Sequence, residues 1–191
     1  MEEKLYYQPR YVKIKRGLSP LARLLYDDFY IAAQGITDYC SISDGSFAEL
    51  YEVSKREVSK SIRELEDAMF IEVWTSRNVS KDSTQTVRRV YLKKIPGGET
   101  HVKEEYKEDL IIPVYMDRSL SPSHKLLSAA LIDLRDEDGA CRLSDKELSE
   151  ATGHETTTIK KLLKELSAAG HIIIENPDGS GKRKICFKGG M

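Results

Sequence analysis

The stretch Glu52–Val73, EVSKREVSKSIRELEDAMFIEV, is written a second time as GHETTTIKKLLKELSAAGHIII at Gly153–Ile174. An internal repeat constrains a fold more tightly than composition does, because it says that one small structural unit is built twice. An offset of 101 residues aligns Cys40 with Cys141, Ser43 with Ser144, Asp44 with Asp145, Glu49 with Glu150 and Lys60 with Lys161. Glu64 with Glu165, Leu65 with Leu166, Ala68 with Ala169 and Ile71 with Ile172 complete nine identities in 35 positions. Upstream, an offset of 102 matches RGLSPLARLL at Arg16–Leu25 to RSLSPSHKLL at Arg118–Leu127, so one residue is gained in the loop between the two blocks. A chain of 191 residues accommodates two such units, each with a modest core. The boundary is expected in KKIPGGETHVKEEYKEDL, giving a first unit over 1–95, a linker over 96–109 and a second unit over 110–191.

Both copies read in the same order. An extended apolar piece (Tyr11–Ile14; Ile111–Tyr115) leads to Leu-Ser-Pro, where Ser19 or Ser121 caps a helix and Pro20 or Pro122 sits in its first turn. That first helix carries one apolar face, Leu21, Leu24, Leu25 and Phe29, or Leu126, Leu127, Ala130, Leu131 and Leu134. A short strand follows (Cys40–Ser43; Cys141–Ser144), then a second helix from near Ser46 or Asp145. A tight turn leads to a third helix ending near Met69 or Ala169. Ser54 and Glu57 have capping-box spacing at the start of the first of these third helices. Alternating β patterns close each copy, Ile71–Trp74 with Val87–Leu92, and Ile172–Ile174 with Lys184–Phe187 around the turn NPDGSG. The predicted fold class is α+β: two tandem winged helix-turn-helix units with β-hairpin wings.

A helix-turn-helix reads DNA with the exposed face of its last helix. If Val58, Ile62 and Leu65 are buried, then Lys55, Arg56, Ser59, Lys60 and Arg63 gather on the opposite side. The second copy places Thr156, Thr157, Lys160, Lys161 and Lys164 at the same five positions. Arginine forks suit guanine edges or phosphate, lysines suit phosphate, and threonine can donate to phosphate or touch a thymine methyl. Helix starts at Ser54 and Thr156 would aim free backbone donors at a phosphate oxygen. In the wings, Arg77, Lys81, Arg88, Arg89, Lys182, Arg183 and Lys184 are expected to touch the DNA backbone. The plainer alternatives are a solvated basic helix face, salt bridges between the copies for the wing cations, and core or copy-to-copy packing for Trp74, which could otherwise stack on a base.

Charge limits how such binding can arise. Residues 1–95 hold 16 Lys and Arg against 14 Asp and Glu, and residues 96–191 hold 14 against 17, so affinity for a polyanion must come from local patches. Four histidines in separate elements, without HExxH, GxSxG or P-loop spacing, give no basis for an enzyme, a cofactor or a metal site. Three cysteines without CxxC spacing read as reduced and structural. With neither a signal-like leader nor an apolar run of spanning length, the expected location is cytoplasmic, away from membranes.

The arrangement LSPLARLLYDDFY…FAELYEVSKREVSKSIRELEDAMFIEV resembles the winged-helix domains of plasmid and phage replication initiators and DnaD-like proteins, over residues 11–93 and more loosely 110–188. Two such units in one small chain also resemble the TraN-type DNA-binding accessory proteins of Gram-positive conjugative type IV secretion systems. That resemblance implies sequence-specific binding of double-stranded DNA near an origin of transfer, with other conjugation or replication proteins as further partners. A plasmid or phage transcriptional repressor or replication initiator, and a winged-helix scaffold for protein interaction, are the alternatives. The expected state is a monomer with an internal pseudo-two-fold, its third helices reaching successive major grooves about 34 Å apart.

Overall fold

The computed structural model describes residues 17–33, 37–79, 84–93, 114, 117–175 and 183–188. The chain divides into two compact units, Leu18–Glu104 and Met1–Gly17 with Glu105–Met191, a division set by contacts in space and not by the repeat boundaries. In the first unit the order is α1 (Pro20–Ala33), β1 (Tyr39–Cys40), α2 (Asp44–Tyr51), α3 (Lys55–Asp67), β2 (Ile71–Val79) and β3 (Thr84–Leu92). In the second it is α4 (Pro122–Asp133), α5 (Asp145–Thr152), α6 (Thr156–Ala168), β4 (Ile172–Glu175) and β5 (Lys184–Phe187). Each unit is thus a mixed α and β arrangement consistent with a winged helix. The expected extended pieces at Tyr11–Ile14 and around Ile111 lie outside the described residues; Val114 is buried in the second core with a helical backbone, not an extended one.

Local chemistry sets the helix ends. The second helix begins at Asp44, two residues before the expected Ser46, because the Ser43 side chain accepts from the Ser46 N–H and caps it there. Ser144 and Glu147 form a full capping box at α5, as Ser54 and Glu57 do at α3. At α6 the N-cap is Glu155 and makes no side-chain cap bond, and the helix starts at Thr156, as the sequence indicates. Both third helices close with a Schellman-type bond, Phe70 N–H to Leu65 O at 3.0 Å and His171 N–H to Leu166 O at 3.0 Å.

The first helix of each unit departs from the one-sided pattern. In α1 every residue from Leu21 to Phe29 is buried, and in α4 every residue from His124 to Leu131. A helix covered all round must bury its polar positions too, here Arg23, Asp27, Asp28 and Lys125. Asp28 accepts a 2.6 Å hydrogen bond from the Tyr51 hydroxyl at the end of α2. Around α1, Phe29 meets Phe47 and Tyr26 meets Phe70 edge to face, at 5.5 and 5.6 Å between ring centres. The second core gathers Leu127, Leu131, Leu148, Ile159, Leu163, Leu166, Ile172 and Ile185.

The first sheet has the antiparallel order β1-β3-β2, with Cys40 opposite Val90 and Val73 opposite Val90 on its other side. Its hairpin strands are nine residues each, longer than the alternating pattern indicated. In the second unit β4 pairs with β5, and Cys141 exchanges hydrogen bonds of 2.9 and 3.0 Å with Ile185, a single bridge where a strand was expected. Burial pushes the Cys40 and Cys141 thiols up from their ordinary acidity, as suits structural cysteines.

Candidate nucleic-acid interface

α3 buries Val58, Ser61, Ile62 and Leu65 and exposes Lys55, Arg56, Lys60 and Arg63. Four cations on one helical face cannot be satisfied by the core, so they are presented to water or to a ligand. The helix is aimed from its start and from its middle. Glu57 folds back on Ser54, whose backbone and hydroxyl donors hold the Glu57 carboxyl below its usual range. Glu64, on the inner flank, accepts from the Ser19 N–H at 2.5 Å and the Ser19 hydroxyl at 2.6 Å at the start of α1.

Ser59 does not belong to that face. Its hydroxyl donates to Asp44 at 2.6 Å and it is half-buried between α2 and α3, because the turn of the helix that places it beside Arg63 also brings it against the start of α2. Lys55 lies near the same helix start: a Cβ on Gly45 would stand 3.3 Å from its Cε.

α6 buries Ile159, Leu162, Leu163 and Leu166 and exposes Thr157, Lys160, Lys161 and Lys164, while Thr156 is half-buried. Its anchor parallels that of α3: Glu165 lies 2.9 Å from His124 Nε2 on α4, and Lys161 stands 3.9 Å from its other oxygen. Lys160, Lys164 and Arg183, with Leu163, Ser167, Ala168 and Ile174, line an open groove of about 460 Å³ between α6 and the hairpin. Its exposed cations are Lys160 and Lys164, and cations so placed can meet phosphate.

Two wing cations are corrected. Arg88 pairs with Asp44 and donates from Nη2 to the Ile42 carbonyl at 2.9 Å, with 18% of its side chain exposed. Arg183 pairs with Asp145 and donates to the Leu143 carbonyl at 3.0 and 3.2 Å. Each points toward the helices and joins the hairpin to the start of the second helix of its own unit, so neither is a free phosphate contact nor a bridge between copies. Burial lowers the Arg88 guanidinium from its usual value. Of the rest, Arg77 and Arg89 are exposed, Arg89 with its guanidinium 5.1 Å over the Tyr39 ring, and Lys184 is half-buried opposite Glu175. Lys81 and Lys182 lie outside the described residues. Trp74, expected in core or copy-to-copy packing, is 63% exposed.

Sequence reasoning missed the two aspartates at the other end of these clamps. Asp44 and Asp145 were legible as aligned identities, but a helix-start aspartate reads first as a partner of the helix dipole. Among the described residues no cluster of three or more His, Cys, Asp or Glu is placed to hold a metal ion, and no helix is long and apolar enough to cross a membrane.

No curated protein matches this chain. A family model described as a helix-turn-helix domain matches residues 118–172, which contain α4, α5 and α6. The match supports a DNA-binding, winged-helix-like unit over that span.

Proposed function

We propose that the chain binds double-stranded DNA sequence-specifically through two helix-turn-helix units, without catalysing a reaction, as a cytoplasmic monomer in which an internal duplication replaces a dimer. The observation that carries the reading is the pair of exposed faces: Lys55, Arg56, Lys60 and Arg63 on α3, and Thr157, Lys160, Lys161 and Lys164 on α6. What supports the duplication is recurrence of detail that no general fold demands. The arginine clamps tie Arg88 to Asp44 and Ile42, and Arg183 to Asp145 and Leu143, at aligned helix-start positions. Glu64 and Glu165 each reach back to the start of a first helix. The resemblance to conjugative accessory proteins supports a role near an origin of transfer, with transfer or replication proteins as further partners.

The test is a fluorescence-anisotropy titration of the full chain with labelled duplex, random and from the gene's own upstream region, at several salt concentrations. A specific reader binds its own site more tightly than random duplex and weakens steeply with salt. Absence of duplex binding at low salt would overturn the reading and leave a protein-interaction scaffold.

A further inference from the structure

The outer face of the first sheet serves neither the core nor the α3 surface. In the β1-β3-β2 ladder Tyr39 stands opposite Tyr91, Tyr91 opposite Glu72, and Arg89 opposite Trp74. Cross-strand partners share a side, and the alternate positions Cys40, Ile71 and Val90 are buried, so these five side chains lie together on the face away from the core. The Tyr39 and Tyr91 rings are 5.5 Å apart, with the Arg89 guanidinium 5.1 Å over Tyr39. Trp74 donates its indole N–H to Glu72 at 2.9 Å, which holds the ring by its edge and leaves it 63% exposed. Lys93, one residue past β3, continues the alternation, so Arg89, Tyr91 and Lys93 interleave cation, ring and cation.

The fold does not ask for this surface. The second hairpin has Ile173, Glu175, Lys184 and Cys186 at the corresponding ladder positions and no ring among them. An exposed tryptophan surrendered by the core is a feature of binding surfaces.

We propose that this face is a platform for single-stranded nucleic acid. Bases stack on Trp74 and on the Tyr39–Tyr91 pair, and Arg89 and Lys93 meet the phosphates between them. Charge favours this occupant over a protein: the two cations face one carboxylate, and that carboxylate is occupied by the indole. A base offers the π-face and the negative charge together. The inference goes beyond duplex binding and uses no side chain of α3 or α6, so the two readings fail separately.

Trp74 is the one tryptophan of the chain, so intrinsic emission reports on the platform directly. The full chain is titrated with an oligothymidylate of about 20 nucleotides, long enough to cover a single-strand site, and Trp74→Ala and Arg89→Ala are compared by anisotropy with labelled oligomer. Expected are saturable quenching and a loss of about tenfold in single-strand affinity for Trp74→Ala, with duplex affinity unchanged. Lys60→Glu/Arg63→Glu should weaken duplex binding and keep the quenching. Unchanged emission at oligomer concentrations that saturate duplex binding, or wild-type single-strand affinity in Trp74→Ala, would overturn the proposal. Self-association lost in Trp74→Ala, without any response to the oligomer, would overturn it in favour of a protein contact.

Discussion

Glu52 and Met69 hold the backbone at φ of 50° and 65°, a region that crowds a Cβ against the next carbonyl, whereas the aligned positions of the second unit are Gly153 and Gly170, both at 76° or more. Met69 is 56% exposed and contributes little to the core that would offset this strain. Met69→Gly should therefore stabilise the first unit by about 0.5–1 kcal/mol, read as a higher urea midpoint, and Gly170→Met should lower that of the second by a similar amount. A lower midpoint for Met69→Gly would mean that its side chain does more than its exposure indicates. Asp117 carries a second residue-scale prediction. It accepts from the Ser119 hydroxyl at 2.6 Å and the Ser119 N–H at 2.8 Å and lies 2.7 Å from His171 Nε2. These partners, Ser119 first, hold its carboxyl at about 2, below the ordinary 3.8. A carboxyl depressed in the folded state contributes stability that is present above its unfolded value and lost as pH falls through the folded one. The gap in urea midpoint between wild type and Asp117→Asn should be steady at neutral pH and close between about pH 4 and pH 2; a gap that does not change over that interval would refute the linkage.

At the scale of elements, the arginine clamp decides how a hairpin stands on its helix-turn-helix. Arg88 and Asp44 have side chains 18% and 27% exposed, and charged hydrogen bonds in such half-dry positions contribute about 1.5–3 kcal/mol. Arg88→Ala should cost the first unit about 2 kcal/mol by urea denaturation, with strong coupling to Asp44→Ala in a double-mutant cycle, while Arg89→Ala stays within about 0.5 kcal/mol. Independent effects of Arg88 and Asp44 would dismiss the clamp. The same contacts show where the sequence was readable. Helices, turns and hairpins were legible because periodicity, capping residues and Gly or Pro signals are local. Arg88 and Arg183 were not, because which side of a strand a cation takes depends on ladder register and on what the helices set opposite it. The all-round burial of α1 and α4 was hidden for a related reason: an amphipathic pattern presumes water on the polar side, and Arg23, Asp28 and Lys125 are buried.

For the whole molecule, the two basic faces are predicted to act unequally. Reversing Lys60 and Arg63 removes a guanidinium able to read a base, so it should alter site preference and lower duplex affinity by about 1–3 kcal/mol for the arginine alone. Reversing Lys161 and Lys164 would remove the proposed phosphate contacts, which should weaken all duplexes alike, flatten the salt dependence by about one unit per lysine and shorten the footprint. An unaltered footprint would make α6 a scaffold. Of the ten residues that helical spacing assigns to the two faces, Lys55, Arg56, Lys60, Arg63, Thr157, Lys160, Lys161 and Lys164 lie exposed, whereas Ser59 and Thr156 are half-buried, because spacing alone does not say what a neighbouring helix start sets against them. The hairpins, finally, make the two units unequal. Strands of nine residues extend about 30 Å and strands of four about 13 Å. A homodimer presents the same unit twice to a palindrome; these two units, with described strands of nine and of four residues, are not interchangeable.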